Sequence, residues 1–128
     1  MRALLDTHAF LWFITDNPQL SQPALDLLQD PGNDVVVSIA SLWEIAIKSN
    51  LGKLQLAKPF DELFPQQIVV NNFGILPIMV QHLTILVGLE HFHRDPFDRL
   101  IISQAISEDL PVVTRDAYFQ QYPVRLIW

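Results

Sequence analysis

Apolar residues fall along this chain in short unbroken runs, separated by longer segments in which they recur every three or four positions. Ala3-Leu4-Leu5 is the first run, closed by Asp6, and His8 to Ile14 follows with helical spacing. A turn region at Asp16-Asn17-Pro18 precedes Gln22 to Leu28, whose Ala24, Leu25, Leu27 and Leu28 again keep helical period until Asp30-Pro31-Gly32-Asn33 stops it. Val35-Val36-Val37 reads as a buried strand and Ser38 to Ile47 as a helix, with Gly52 as its stop. Phe60 to Val70 is helical in pattern but weakened by Pro65. Ile75 to Ile78 predicts a strand, Val80 to Leu89 a helix, and Pro96 to Ser107 a stronger one carrying Phe97, Leu100, Ile101, Gln104 and Ala105. Pro111-Val112-Val113-Thr114 and Val124 to Ile127 predict two further strands.

Strand runs that are apolar throughout, alternating with helices, indicate a mainly parallel sheet covered on both faces and linked by right-handed crossovers. The expected fold is therefore α/β, a three-layer α/β/α sandwich with four or five strands. No repeat, low-complexity tract or long linker interrupts the pattern, so residues 1–128 read as a single domain.

Composition agrees with a compact fold: half of the 128 residues are hydrophobic, which is enough apolar surface to offset ordering entropy. The absence of cysteine excludes a disulfide scaffold, a thiolate zinc site and a cysteine nucleophile. Phe73 to Leu89 carries no formal charge but contains Gly74, Pro77, Gln81 and His82, which fits a strand followed by a helix better than a membrane span. The first acid, Asp6, arrives before any apolar stretch reaches signal-peptide length, so a cytoplasmic location is expected. Net charge complicates the picture, because a balance of −6 opposes long-range attraction to polyanions. Any phosphate-handling chemistry must be local.

In a parallel sheet of this type ligands bind outside the carboxyl ends of the strands. Four acids fall there: Asp6 after the first strand, Glu44 in the helix after Val35-Val36-Val37, Asp98 near the start of the Pro96 helix, and Asp116 after Val112-Val113-Thr114. Each has a structural alternative. Asp6 and Asp116 can cap the helices that follow them, Ser41-x-x-Glu44 fits a capping box, and Asp98 lies in a first turn behind a cap at Asp95. Taken alone, each acid is better read as a cap. Taken together they would crowd one rim and repel, which calls for a hard divalent cation such as Mg²⁺ or Mn²⁺. Asp98 also shares a stripe with Ile102 and Ala105, pointing it toward the packed side of its helix, where a lone carboxylate is costly.

These segments, Leu4-Leu5-Asp6-Thr7-His8, Ser38-x-x-Ser41-x-x-Glu44-Ile45, Asp95-Pro96-Phe97-Asp98-Arg99-Leu100-Ile101-Ile102-x-Gln104-Ala105 and Val113-Thr114-Arg115-Asp116, resemble in order and spacing the PIN-domain proteins of the VapC toxin type. The resemblance implies a metal-dependent endoribonuclease, the toxin of a type II toxin–antitoxin pair, with Asp6, Glu44, Asp98 and Asp116 as its acidic cluster and a small antitoxin as its partner. Asp6 and Asp98 would hold Mg²⁺ or Mn²⁺ most directly, and Asp116 and Glu44 would bind a second ion or position water. Thr7 and Thr114 are expected to hydrogen-bond these carboxylates, and Arg99 and Arg115 to contact substrate phosphate, with Arg94 and Lys48 as further candidates.

His91-x-His93-x-Asp95 could suggest zinc but lacks further ligands at clear spacing. His8 reads as packing or capping, and Trp12, Trp43 and Trp128 as core. A haloacid-dehalogenase phosphatase needs an acid where His8 stands, and a receiver domain needs a late lysine that is missing after Lys58. Two alternatives remain: a nonenzymatic interaction module whose acids are all caps, and a Mg-dependent phosphohydrolase of another α/β family. Val80, Leu83, Leu86, Val87 and Leu89 form a stripe that belongs either to the core or to a homodimer face.

Overall fold

The computed structural model describes residues 1–128 throughout. Its elements run β1 (Arg2–Leu5), α1 (Thr7–Ile14), α2 (Gln22–Gln29), β2 (Asp34–Ser38), α3 (Ile39–Asn50), α4 (Phe60–Val70), β3 (Gly74–Leu76), α5 (Val80–Val87), α6 (Pro96–Glu108), β4 (Val112–Val113), a 3₁₀ turn (Ala117–Gln121) and β5 (Leu126–Ile127). The five strands form one sheet in the order β3-β2-β1-β4-β5, and every pairing is parallel. Side chains alternate across a strand, so the apolar runs feed both faces. Ala3, Leu5, Val35, Val37 and Val113 pack with Phe10, Leu42, Ile45 and Phe64 on one side. Leu4, Val36 and Val112 pack with Leu100, Ile101, Ile102, Ala105 and Phe119 on the other. This is the expected three-layer sandwich.

Backbone chemistry sets where the elements stop. Pro77 has no N–H to donate, and β3 ends at Leu76 instead of running to Ile78. The third helix ends at Asn50, within the expected Asn50-Leu51-Gly52 stop, and Gly52 at φ +73° supplies the left-handed turn beyond it. Pro65 lies inside α4, which persists across the lost hydrogen bond with Phe64 buried in the core. At the start of α3 the cap is Ser38, whose hydroxyl accepts from Ala40 N at 3.0 Å. The capping box expected at Ser41-x-x-Glu44 therefore does not form, and Glu44 lies in the second turn, where capping cannot account for it. The same Ser38 hydroxyl donates to Gln104 Oε1, tying α3 to α6 beneath the sheet's carboxyl edge.

Strand order determines where a ligand can enter. From β1 the chain steps outward to β2 and β3, then crosses back through α6 to place β4 and β5 on the other side of β1. The topological switch point thus lies between the carboxyl ends of β1 and β4, where diverging connections open a crevice.

Candidate active site

Asp6 extends β1 by one residue, its backbone N–H bonding Val113 O at 3.2 Å. Its side chain accepts from two donors: Ala9 N at 2.7 Å, which caps α1, and the Thr114 hydroxyl at 2.5 Å. The carboxyl is almost fully buried, and that burial raises its pKa despite both hydrogen bonds. Thr114 in turn accepts from Asp116 N at 3.0 Å. Asp116 caps the 3₁₀ turn through Tyr118 N, as its position suggested, and its other oxygen reaches 3.4 Å from His93 Nε2.

From the opposite side, Asp95 caps α6 by accepting from Phe97 N and Asp98 N. That cap aims Asp98 inward, with Oδ2 2.8 Å from His93 Nε2. Burial, together with the negative charges of Asp95, Glu44 and Asp6, pushes the Asp98 pKa up to about 7, with His93 opposing. Glu44 enters from α3. Lys48, one turn on, donates to its Oε2 at 2.6 Å, a contact that raises the lysine's pKa, while Oε1 is buried without any hydrogen-bond partner.

Asp98 is therefore surrounded by the charges of Asp6, Glu44 and Asp95, and Asp116 reaches the same histidine. This arrangement fits a hard divalent cation. The donors are carboxylate oxygens, one of them is an unpartnered buried acceptor, and two of the acids are strained toward protonation unless positive charge arrives.

His93 is the residue that sequence reasoning missed. Nδ1 accepts from Asp95 N at 3.3 Å, which leaves the proton on Nε2, between Asp98 and Asp116. Ligand atoms of these three residues all lie within 4.8 Å of one another. The ring stacks on Tyr118 at 5.0 Å, and its backbone N–H donates to Tyr122 Oη. Its signal was positional: a histidine two residues ahead of a helix cap lies over that helix's first turn. His91 does not join the group, so the alternating-histidine zinc set does not form.

Several expectations need correction. Arg99 is buried, and its guanidinium is engaged by the carbonyls of Leu89, Glu90 and His93 and by Tyr122 Oη, so it holds the loop before α6 and is not available to phosphate. Thr7 donates to Ser41 Oγ at 2.9 Å and not to a carboxylate; it joins α1 to α3. Trp43 is 55% exposed and packs edge-on against Phe97. In the α5 stripe, Leu89 is buried and Leu86 packs against the core, whereas Val80 and Val87 are exposed. Arg115 is exposed at the rim, lining a cleft of about 190 Å³ with Asp6, His8, Trp12 and Asp116.

Fold and cleft together define an α/β protein with a carboxylate-rich cleft at the sheet's switch point. The comparisons make this specific: the model of the PIN domain family matches residues 3–124, and the chain belongs to that family. A curated relative, Ribonuclease VapC16 of Mycobacterium tuberculosis, is 34% identical over 70 residues, spanning 52% of this chain and 48% of that protein. The match thus covers about half of that relative. Among solved structures, VapBC2 from Rickettsia felis bound to a DNA fragment from its promoter superposes with a TM-score of 0.69 at 22% identity, covering 98% of this chain and 97% of that one. VapBC-5 of Mycobacterium tuberculosis, a member of the VapBC family of toxin-antitoxin systems, gives 0.62 at 20%, covering 98% and 97%. At these identities the structures establish the fold alone.

Proposed function

We propose that this chain is a divalent-metal-dependent endoribonuclease of the VapC type, the toxin of a type II toxin–antitoxin pair. The observation that carries the proposal is the convergence of Asp6, Asp98 and Asp116 at the β1/β4 switch point beside an unpartnered Glu44 oxygen. Its support is the PIN membership and the ribonuclease named among its relatives. Asp6, Asp98 and Asp116 would hold Mg²⁺ or Mn²⁺, with Glu44 as a further ligand or an acceptor for water. When bound, the ion lowers the pKa of a coordinated water and offsets charge on the phosphoryl oxygens.

The chain's own groups do the rest. Thr114 fixes the carboxylate plane of Asp6, and His93 Nε2–H keeps Asp98 turned toward Asp116. Lys48 holds Glu44 by one oxygen and leaves the other buried without a hydrogen-bond partner. Arg115 supplies positive charge at the rim for the RNA backbone. An acidic cleft of this kind also suits insertion of an antitoxin arginine, a bidentate partner for carboxylates. Met79, Val80, Leu83 and Val87 expose an apolar stripe on α5 that supports a homodimer. No helix is long and apolar enough to cross a membrane, and a cytoplasmic toxin is the reading adopted.

The test is cleavage of RNA by purified protein with Mn²⁺. Activity should vanish with EDTA and in Asp6→Asn and Asp98→Asn, each checked for native circular dichroism. Protein that cuts no RNA and shows no Mn²⁺-induced rise in Tm would leave the nonenzymatic interaction module in its place.

A further inference from the structure

The cleft that holds the acids has a second wall, and its chemistry differs. Asp6 and Asp116 form one side; His8, Trp12 and Arg115 complete the lining. The Arg115 guanidinium lies over the Trp12 indole, its central carbon 4.8 Å from the ring centroid. His8 stands beside the same indole at 5.8 Å, and Trp128 supports it from the core side at 5.9 Å. His8 and Arg115 are exposed and Trp12 is half-buried. Although Asp116 is adjacent in sequence, Arg115 forms no ion pair with it, because the Asp116 oxygens are engaged by Tyr118 N and His93. The guanidinium therefore keeps its donors free of protein acceptors while it sits over an aromatic ring.

The geometry points to a nucleobase subsite: Trp12, with Arg115 over it and His8 beside it, is the wall against which a base next to the scissile phosphate of single-stranded RNA stacks. This deepens the nuclease reading and rests on it. Phosphate drawn to a cation at Asp6 and Asp116 places the adjoining nucleotide within the same small cleft, so its base meets this wall. Stacking on aromatic and guanidinium planes holds single-stranded bases, and in a chain with a net charge of −6 such a local contact carries more of the binding than a broad basic groove can. Arg115 would serve twice, its plane toward the base and its edge toward phosphate. Trp12 then acts in substrate affinity, whereas the acids act in metal binding and turnover.

The test is a residue-by-base cycle. A short fluorescein-labelled single-stranded oligoribonucleotide, and versions with one abasic position each, are titrated by anisotropy in Ca²⁺, and KM and kcat for its cleavage are measured in Mn²⁺. Trp12→Ala should weaken binding and raise KM by about tenfold or more, with kcat and the Mn²⁺-induced rise in Tm preserved, while Trp12→Phe stays within about threefold of wild type. One abasic position should cost affinity in wild type and nothing further in Trp12→Ala. Equal binding by Trp12→Ala and wild type, or equal abasic penalties in both, overturns the subsite while leaving the nuclease intact. Trp12→Phe as weak as Trp12→Ala, with a similar fall in Tm, assigns the ring to packing and also overturns it. Wild-type protein with neither a Mn²⁺ shift nor cleavage overturns the nuclease reading and the subsite with it.

Discussion

The Thr114 hydroxyl donates to Asp6 Oδ2 across 2.5 Å, and through it the ends of the two central strands hold a single carboxylate. The same hydroxyl oxygen accepts from Asp116 N, so one buried side chain positions both acids of the cleft.

Replacing Thr114 by valine keeps the shape and removes both bonds. Asp6 then loses a donor and Asp116 N an acceptor. The expected result is a stability loss of about 1–3 kcal/mol in urea unfolding and about tenfold weaker Mn²⁺ binding by calorimetry. Thr114→Ser, which restores the hydroxyl, should recover most of both. A valine variant with wild-type metal affinity would show that Asp6 needs no such support.

Acidity provides a second check, in metal-free protein. The folded pKa of Asp98 is pushed up to about 7, above the ordinary aspartate value of 3.8, so the fold binds this proton more tightly than the unfolded chain does. Its contribution is fully present below pH about 4 and is lost as pH rises through about 7. Burial shifts Asp6 in the same direction. Tm without metal should therefore fall between pH 5 and pH 8. Asp98→Asn, whose amide oxygen can still accept from His93, should flatten that fall and raise stability at pH 8 by about 2 kcal/mol. Mn²⁺ should raise the wild-type Tm most at pH 8, where the proton no longer competes. A wild-type Tm that climbs steadily from pH 5 to pH 8 would contradict the crowding of these acids.

Arg99 should behave as a structural residue. Lysine cannot reproduce a planar fork that serves the carbonyls of Leu89, Glu90 and His93. Arg99→Lys is expected to cost about 2–3 kcal/mol and to loosen residues 89–95 in hydrogen exchange. Raised KM with unchanged stability would return Arg99 to the phosphate contacts.

The sheet was readable because its strands are apolar throughout, and the crossover helices because their apolar residues recur at helical period. Lengths were less so, since Pro77 ends β3 by lacking an N–H; the cap of α3 falls at Ser38, where the helix was expected to begin, and not at the Ser41 capping box. Which acids gather at one edge also followed from the sequence, because strand ends in a parallel sheet share a rim. The direction of the other polar groups did not. Arg99 and Thr7 flank acids in sequence, yet one turns into a loop of carbonyls and the other across to Ser41. His93 lies in an irregular segment without periodicity, and only the folded loop over α6 shows its ring between two carboxylates.

The first strand lies at the centre of the sheet, and its Asp6 meets partners that arrive only with α6, Thr114 and Asp116. A ribosome making this chain releases that carboxylate early, long before there is a cleft for it to serve. The segment through β3 carries Asp6 and Glu44 but neither Asp98 nor Asp116, so the acidic cluster is complete only once α6 and β4 have been added. On the proposed function, the ability to cleave therefore depends on α6 and β4 docking against strands that precede them in the chain.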